Sequence, residues 1–284
     1  MTSPVAFPSP VLDHVVINVA DKLDEASNLY QRLGFQLSAR GHHTLGSSNH
    51  LAIFGENYLE LLGYEPGQGD KRKDLWQAPA GLTGLVWKTH SADSEFRHLK
   101  QHDLDGDPPA SFSRPVTLPD GQQTDARFRT VRLRPSLVPN GRSFFCQHDT
   151  PAAVWQTAWQ QHPNGVRHIT EFVIVAQQPA SAAAVYRRLF GDAFIEHERD
   201  GSLAIHAGNA TVRIMSAQQA QAIYGTLPRD YDGSARMSAL SLQTDSLSKV
   251  KTNLSQGNIP FQQQANAIIV AADDAFNLTL RFHL

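Results

Sequence analysis

Val11-Leu-Asp-His-Val-Val-Ile-Asn-Val-Ala20 is an apolar run rich in β-branched residues and too short for a buried helix, so it reads as a strand. Side chains alternate along a strand, which puts Leu12, His14, Val16 and Asn18 on one face and Asp13, Val15, Ile17 and Val19 on the other. The second face is the one a following helix would cover. Asp21 is placed to cap that helix, in which Leu23, Ala26, Leu29, Tyr30 and Leu33 recur at helical spacing, and Gly34 stands where a left-handed C-terminal cap belongs. Strand-like runs follow at 35–45, 49–54 and 58–64, parted by Gly46-Ser-Ser and Gly55-Glu-Asn turns. The unit is β-α-β-β-β.

The same order recurs outward from it. A strand at 81–89, a helix at 93–102 and strands at 110–116, 125–133 and 142–148 make a second unit. A third runs from Arg167 through a helix at 179–190, where Tyr186-Arg-Arg-Leu-Phe-Gly191 echoes Tyr30-Gln-Arg-Leu-Gly-Phe35, and a fourth occupies 237–282. The expected architecture is α+β: two domains, each of paired βαβββ units forming a cupped, barrel-like mixed sheet with helices outside. Residues 1–10 form an N-terminal extension, and 11–150 form the first domain, with units 11–64 and 81–149. Residues 151–166, with Trp155 and Trp159 four apart, form a linker helix and turn, and 167–284 form the second domain. At 284 residues each domain is expected to bury its own core.

Composition narrows the partners. A formal charge of -2 with charges spread along the chain gives no footprint for nucleic acid or anionic lipid, which leaves small molecules. One cysteine excludes an internal disulfide, and neither a signal peptide nor a membrane span is legible. A cytoplasmic location is the expectation.

Paired units that open with Leu12-Asp-His-Val-Val-Ile17 and continue with Tyr30-Gln-Arg-Leu-Gly-Phe35 and Tyr58-Leu-Glu-Leu-Leu-Gly63 resemble the vicinal oxygen chelate superfamily, and within it the glyoxalase-like domain proteins. The resemblance covers the first domain well and the second mainly through its repeat pattern. It implies an open sheet around a divalent metal (Fe2+, Mn2+, Zn2+ or Ni2+) that binds two adjacent oxygens of a substrate. It further implies that His or Glu on the first and last strands of each unit ligate it. His14 and Glu60 match in the first unit, and parity puts Tyr58 and Glu60 on one face and Leu59 and Leu61 on the other. A carboxylate inside an apolar strand costs several kcal/mol to desolvate unless compensated. A solvated edge-strand Glu is the competing reading. In the second unit Gly84 stands where His14 would align, and the last strand offers Phe144, Cys146 and His148 on one face, so His148 is taken as third ligand. Asn18, Tyr58, Phe144 and Cys146 complete the expected pocket.

Other polar residues weigh less. His42, His43 and His50 lie near strand ends of the first unit and could reach the cup, although neighbouring histidines more often sit in solvated loops, and Arg127, Arg129, Arg132 and Arg134 read as a solvated outer face or an anion contact. In the second domain Glu171 and Arg213 stand where His14 and Glu60 would, with Ala239 and Asn277 in the fourth unit. That half reads as a degenerate copy that stabilises the first domain, closes its cup or mediates a homodimer. The expected function is a metal-dependent lyase or isomerase, or a ring-cleaving dioxygenase, acting on a small oxygenated molecule, with Glu60 also moving a proton. The alternative is a metal-free protein sequestering a drug or metabolite, with Trp87, Phe128 and Phe144 as packing residues.

Overall fold

A computed structural model describes residues 7–284, so the first six residues of the expected N-terminal extension lie outside it. The first half runs β1 (Leu12–Ala20), α1 (Leu23–Arg32), β2 (Gly41–His42), β3 (Ser48–Ile53), β4 (Tyr58–Gly63), α2 (Lys73–Trp76), β5 (Gly81–Thr89), α3 (Ala92–Gln101), β6 (Ala110–Thr117), β7 (Gln123–Arg132) and β8 (Arg142–His148). Its eight strands form one sheet in the order β2-β3-β4-β1-β5-β8-β7-β6. β1 runs parallel to β4 and antiparallel to β5, which is itself parallel to β8, so the two βαβββ units meet through their first strands.

The second half repeats the plan with β9 (Val166–Val175), α4 (Pro179–Phe190), β10 (Ile195–His197), β11 (Leu203–Ala207), β12 (Ala210–Met215), α5 (Ala217–Tyr224), β13 (Arg236–Thr244), α6 (Leu247–Gln256), β14 (Gln262–Gln264), β15 (Ala267–Val270) and β16 (Thr279–His283). Its sheet order, β10-β11-β12-β9-β13-β16-β15-β14, is the same one renumbered. The expected α+β architecture of paired units is the observed one.

The interior is not divided as expected. Instead of two cores, a single apolar cluster joins Val15, Ile17 and Trp87 of the first sheet to Phe172, Leu240 and Phe282 of the second. Trp87 is fully buried, packs on Phe190 at 4.7 Å and donates its indole N–H to Ser143 Oγ. Burying such a side chain is worth about 1.5–3 kcal/mol or more. Arg236, 1% exposed, donates to the carbonyls of Ala80 and Leu82 across the halves and pairs with Asp230. The helix-covered faces of both sheets therefore share one core, and the two concave faces carry separate apolar clusters.

Strict alternation fails at one place on β1. Opposite β5, Leu12 faces Trp87 and His14 faces Val86, which leaves Asp13 as the extra residue of a β-bulge. Leu12 consequently joins Val15, Ile17 and Val19 in the shared core, whereas Asp13, expected on that face, swings its carboxylate to the imidazoles of the cup. A second register shift falls opposite Gly84. A Cβ there would meet Val16 Cβ at 2.5 Å, so packing between the paired first strands demands glycine where a ligand would align.

Other expectations change for local reasons. Residues 35–45 contribute strand only at Gly41–His42. The α1 N-cap is Lys22 without a side-chain cap bond, not Asp21, whereas α3 is capped as sequence rules require, Ser91 Oγ accepting from Ser94 N–H. Residues 151–166 form two 3-10 turns, Pro151–Ala153 and Thr157–Trp159, rather than a helix. Trp155 is used instead as a cover, against Tyr58 and His148 and under the Lys88 ammonium. α5 was not legible as an element. It lays Ala220 and Tyr224 on Val173 and Val175, filling the second cup.

Gly84→Ala should lower stability by about 1–3 kcal/mol, as overpacking does. Urea unfolding read by tryptophan fluorescence measures it, and an unchanged midpoint would contradict the close β1–β5 contact.

Candidate functional site

The parallel register of β1 and β4 sets His14 beside Tyr58 and Val16 beside Glu60, so His14 and Glu60 lie one step apart diagonally. Tyr58 stacks on the His14 ring, centroids 4.3 Å apart and 9° from parallel, and Phe144 meets the same ring edge-on at 6.0 Å. His14 Nε2 then stands 3.7 Å from Glu60 Oε2. Behind it, His14 Nδ1–H donates to Asp13 Oδ2 at 2.7 Å, the direction an ionised carboxylate imposes. Asp13 has no exposed surface. Burial alone would raise its pKa, but His148 and His14 hold it far below the usual carboxylate range.

Glu60 is fixed from its other oxygen. Asn49 Nδ2 donates to Oε1 at 2.7 Å, and His43 Nε2 lies 3.9 Å from that oxygen. Burial pushes the Glu60 carboxyl up, yet the imidazoles of His14 and His43 when protonated, the Asn49 bond and Arg142 together bring it below its ordinary value. His43 goes the opposite way: burial drives it down to about 4, and it stays neutral. Around these groups the cup holds a cavity of about 60 Å³, room for a few waters' worth of ligand atoms.

Of the residues singled out from sequence, His14, Glu60, Tyr58, Phe144 and Cys146 line this cavity. Burial pushes the Cys146 thiol well above its ordinary value, which leaves it a packed apolar group rather than a nucleophile. Asn18 lies in an adjoining cavity, where its amide donates to the carbonyls of Ala78 and Pro79 and pins the loop before β5. His148 is wedged against Phe128 and Trp155, and its Nε2–H donates to Asp13 Oδ2 at 2.9 Å. His148 is therefore joined to the site through Asp13 and not turned on Glu60. Trp87 belongs to the shared core, while Phe128 and Phe144 line the cup.

Two positions lining the site were not legible, and a third was read only as the weaker alternative. Asp13 was hidden by the bulge. His43, which reads as able to reach the cup but more often solvated, does reach it, because the chain turns at Gly46 and His43 Nδ1 bonds Ser47 Oγ. Asn49 carries no signal of its own in a strand. In the second half, Glu171 and Arg213 do occupy the positions of His14 and Glu60, and they close on one another as an ion pair of 2.6 Å, with Tyr224 hydroxyl on Glu171. Asn277, expected nearby, sits in the turn before β16 and bonds Asp230.

Two donor sets can be weighed for a divalent ion. Asp13, Cys146 and His148 bring ligand atoms within 4.8 Å of one another. In that set Asp13 Oδ2 already accepts two imidazole N–H groups and the thiol is held protonated, which leaves Asp13 Oδ1 and His148 Nδ1 as its unpartnered atoms. His14 and Glu60 fit better. An imidazole that donates from Nδ1 to a buried carboxylate keeps its Nε2 lone pair for a metal. At 3.7 Å the Nε2 and Oε2 atoms can both reach one ion at typical bond lengths of about 2.0–2.2 Å. Asn49 Oδ1, buried without a hydrogen-bond partner, lies toward Gly41, and it is the amide Nδ2 that faces Glu60.

The chain matches the family model described as "Glyoxalase-like domain" over residues 12–190, from β1 into the end of α4. No curated protein matches. Among solved structures, a hypothetical protein from Staphylococcus aureus superposes with a TM-score of 0.67 at 14% identity, over 96% of this chain and 98% of the other. A xylose isomerase-like TIM barrel/4-hydroxyphenylpyruvate dioxygenase fusion protein gives 0.58 at 11% identity, over 99% of this chain and 50% of that one. A mutant of 4-hydroxymandelate synthase from Streptomyces coelicolor gives 0.55 at 14%, over 97% and 92%. These likenesses concern the fold. No helix among the described residues is long and apolar enough to cross a membrane.

Asp13→Asn should destabilise by about 3–5 kcal/mol, because it strips the charge from a buried group that answers two imidazoles. The stabilisation from a depressed carboxylate is complete above the unfolded pKa of about 3.9 and is lost as pH falls below it. The variant should therefore lose stability at neutral pH and show a flattened acid limb in urea midpoints taken from pH 7 to pH 3. An acid limb as steep as that of the wild type would refute this role.

Proposed function

Because this chain belongs to the glyoxalase-like domain family of the vicinal oxygen chelate superfamily, and its first cup sets a free imidazole nitrogen against a carboxylate, we propose that it is a metal-dependent lyase, isomerase or dioxygenase acting on a small oxygenated molecule. The single observation that carries this reading is the 3.7 Å approach of His14 Nε2 to Glu60 Oε2, with Asp13 behind one and Asn49 behind the other. His14 and Glu60 would hold Fe2+, Mn2+, Zn2+ or Ni2+. Such an ion, when bound, acts as a Lewis acid toward two vicinal oxygens.

The protein's own groups have separate tasks. Tyr58 and Phe144 fix the His14 ring and, with Leu51 and Leu62, keep the floor of the cup apolar, which strengthens every charge interaction there. Asn49 aims Glu60, whose carboxylate, once released by the ion or shared with it, would take a proton from a substrate carbon or hydroxyl. His148 acts through Asp13 as a positioning residue. Residues 11–150 carry the site and 167–284 brace it from the shared core. The lone, buried, unpaired Cys146 accords with action in a reducing cytoplasm.

Metal analysis of protein purified without chelator tests this. Stoichiometric metal should be present in the wild type and lost in His14→Ala and Glu60→Ala, while Asp13→Asn should bind about 10–100-fold more weakly, as loss of an orienting carboxylate does. Metal-free wild type that still binds small molecules in the cup would leave a sequestering protein in its place.

A further inference from the structure

The charges lining the first cup do not balance. Arg72, Arg114, Arg132 and Arg142 line it, and Glu60 is the carboxylate among the lining residues. Arg72 and Arg132 are both answered by Asp74, at 3.3 and 3.2 Å. Arg114 and Arg142 form no ion pair among the described residues.

Arg114 is the more telling of the two. It projects from β6, is 2% exposed, and its Nη2 is buried with no hydrogen-bond partner. The stem lies in a cradle at Gly41, where an added Cβ would come within 3.0 Å of Arg114 Cδ, so the chain makes room for it. The β2 and β6 edges meet beside it through Thr44 N–H donating to the Ser113 carbonyl. Arg142 opens β8, half-buried over the Phe144 ring at 5.4 Å. A buried guanidinium without a partner is a standing cost in free energy, and it persists where something outside the chain answers it.

We propose that the first cup recognises a small organic oxyanion, whose carboxylate or phosphate group is held by Arg114 and Arg142. Guanidinium forks suit both groups through paired N–H donors. Burial disfavours the charged form of both arginines, and a bound anion relieves that penalty. This deepens the proposed function by naming the charge of the substrate, and it rests on that reading only for the chemistry at Glu60.

The full chain should be titrated with inorganic phosphate and, separately, with propionate at constant ionic strength, before and after dialysis against a chelator. Binding is read by calorimetry and by the rise in Tm. At least one anion should bind in both states, and Arg114→Met and Arg142→Met should each weaken it about tenfold or more, while the exposed Arg97→Met should not. The stronger of the two anions identifies the group as phosphate or carboxylate. Arg142 is half-buried, so its variant tests the idea even if Arg114→Met misfolds. Binding of neither anion, equal binding by Arg142→Met and wild type, or binding abolished by the chelator alone would overturn the proposal. Wild type that lacks metal yet binds anion through these arginines would sink the metal reading and leave this one standing.

Discussion

One buried carboxylate holds the first cup together. Asp13 accepts from His14 on its own strand and from His148 on β8, so the opening strand of one unit is bonded to the closing strand of the next. A charge with no exposed surface is tolerated because two imidazoles meet it. Those imidazoles have their rings fixed because the charge is there. Everything proposed for His14, its tautomer above all, follows from that shared oxygen. The bulge that delivers Asp13 to the cup is thus a designed irregularity of the sheet and not a defect in it.

The two halves repeat one strand order and differ sharply at the matching positions of their cups. In the first, the paired positions on β1 and β4 are His14 and Glu60, separated by a gap an ion could span. In the second, Glu171 and Arg213 satisfy one another directly, and α5 brings Tyr224 onto the same carboxylate. A salt bridge and a helix have replaced a cavity, and the strands around them have kept their order and register.

The fold was largely legible because its signals are local: β-branched runs, helical spacing in 23–33, turn residues between strands and a repeated Tyr-x-Arg-Leu. Glu60 was legible for a physical reason, being a carboxylate in an apolar strand. What escaped reading depends on tertiary pairing. No local rule announces that Asp13 is the extra residue against β5. Nor does one show that Gly46 folds His43 back over the cup, or that Arg114 goes inward while its β7 neighbours Arg127 and Arg129 stay outside. The expectation of two cores failed because amphipathic periodicity shows that a helix has a buried face without saying which sheet will bury it. The α5 segment, short and polar, looks like a loop until its cup is known.

The shared interior has a consequence for how such a molecule can change over time. Since the helix-covered sides of both sheets are committed to each other, alterations confined to either concave mouth leave the common foundation untouched. In this molecule one mouth is closed by the Glu171–Arg213 pair and Tyr224 while the other keeps a cavity, and both stand on the same foundation.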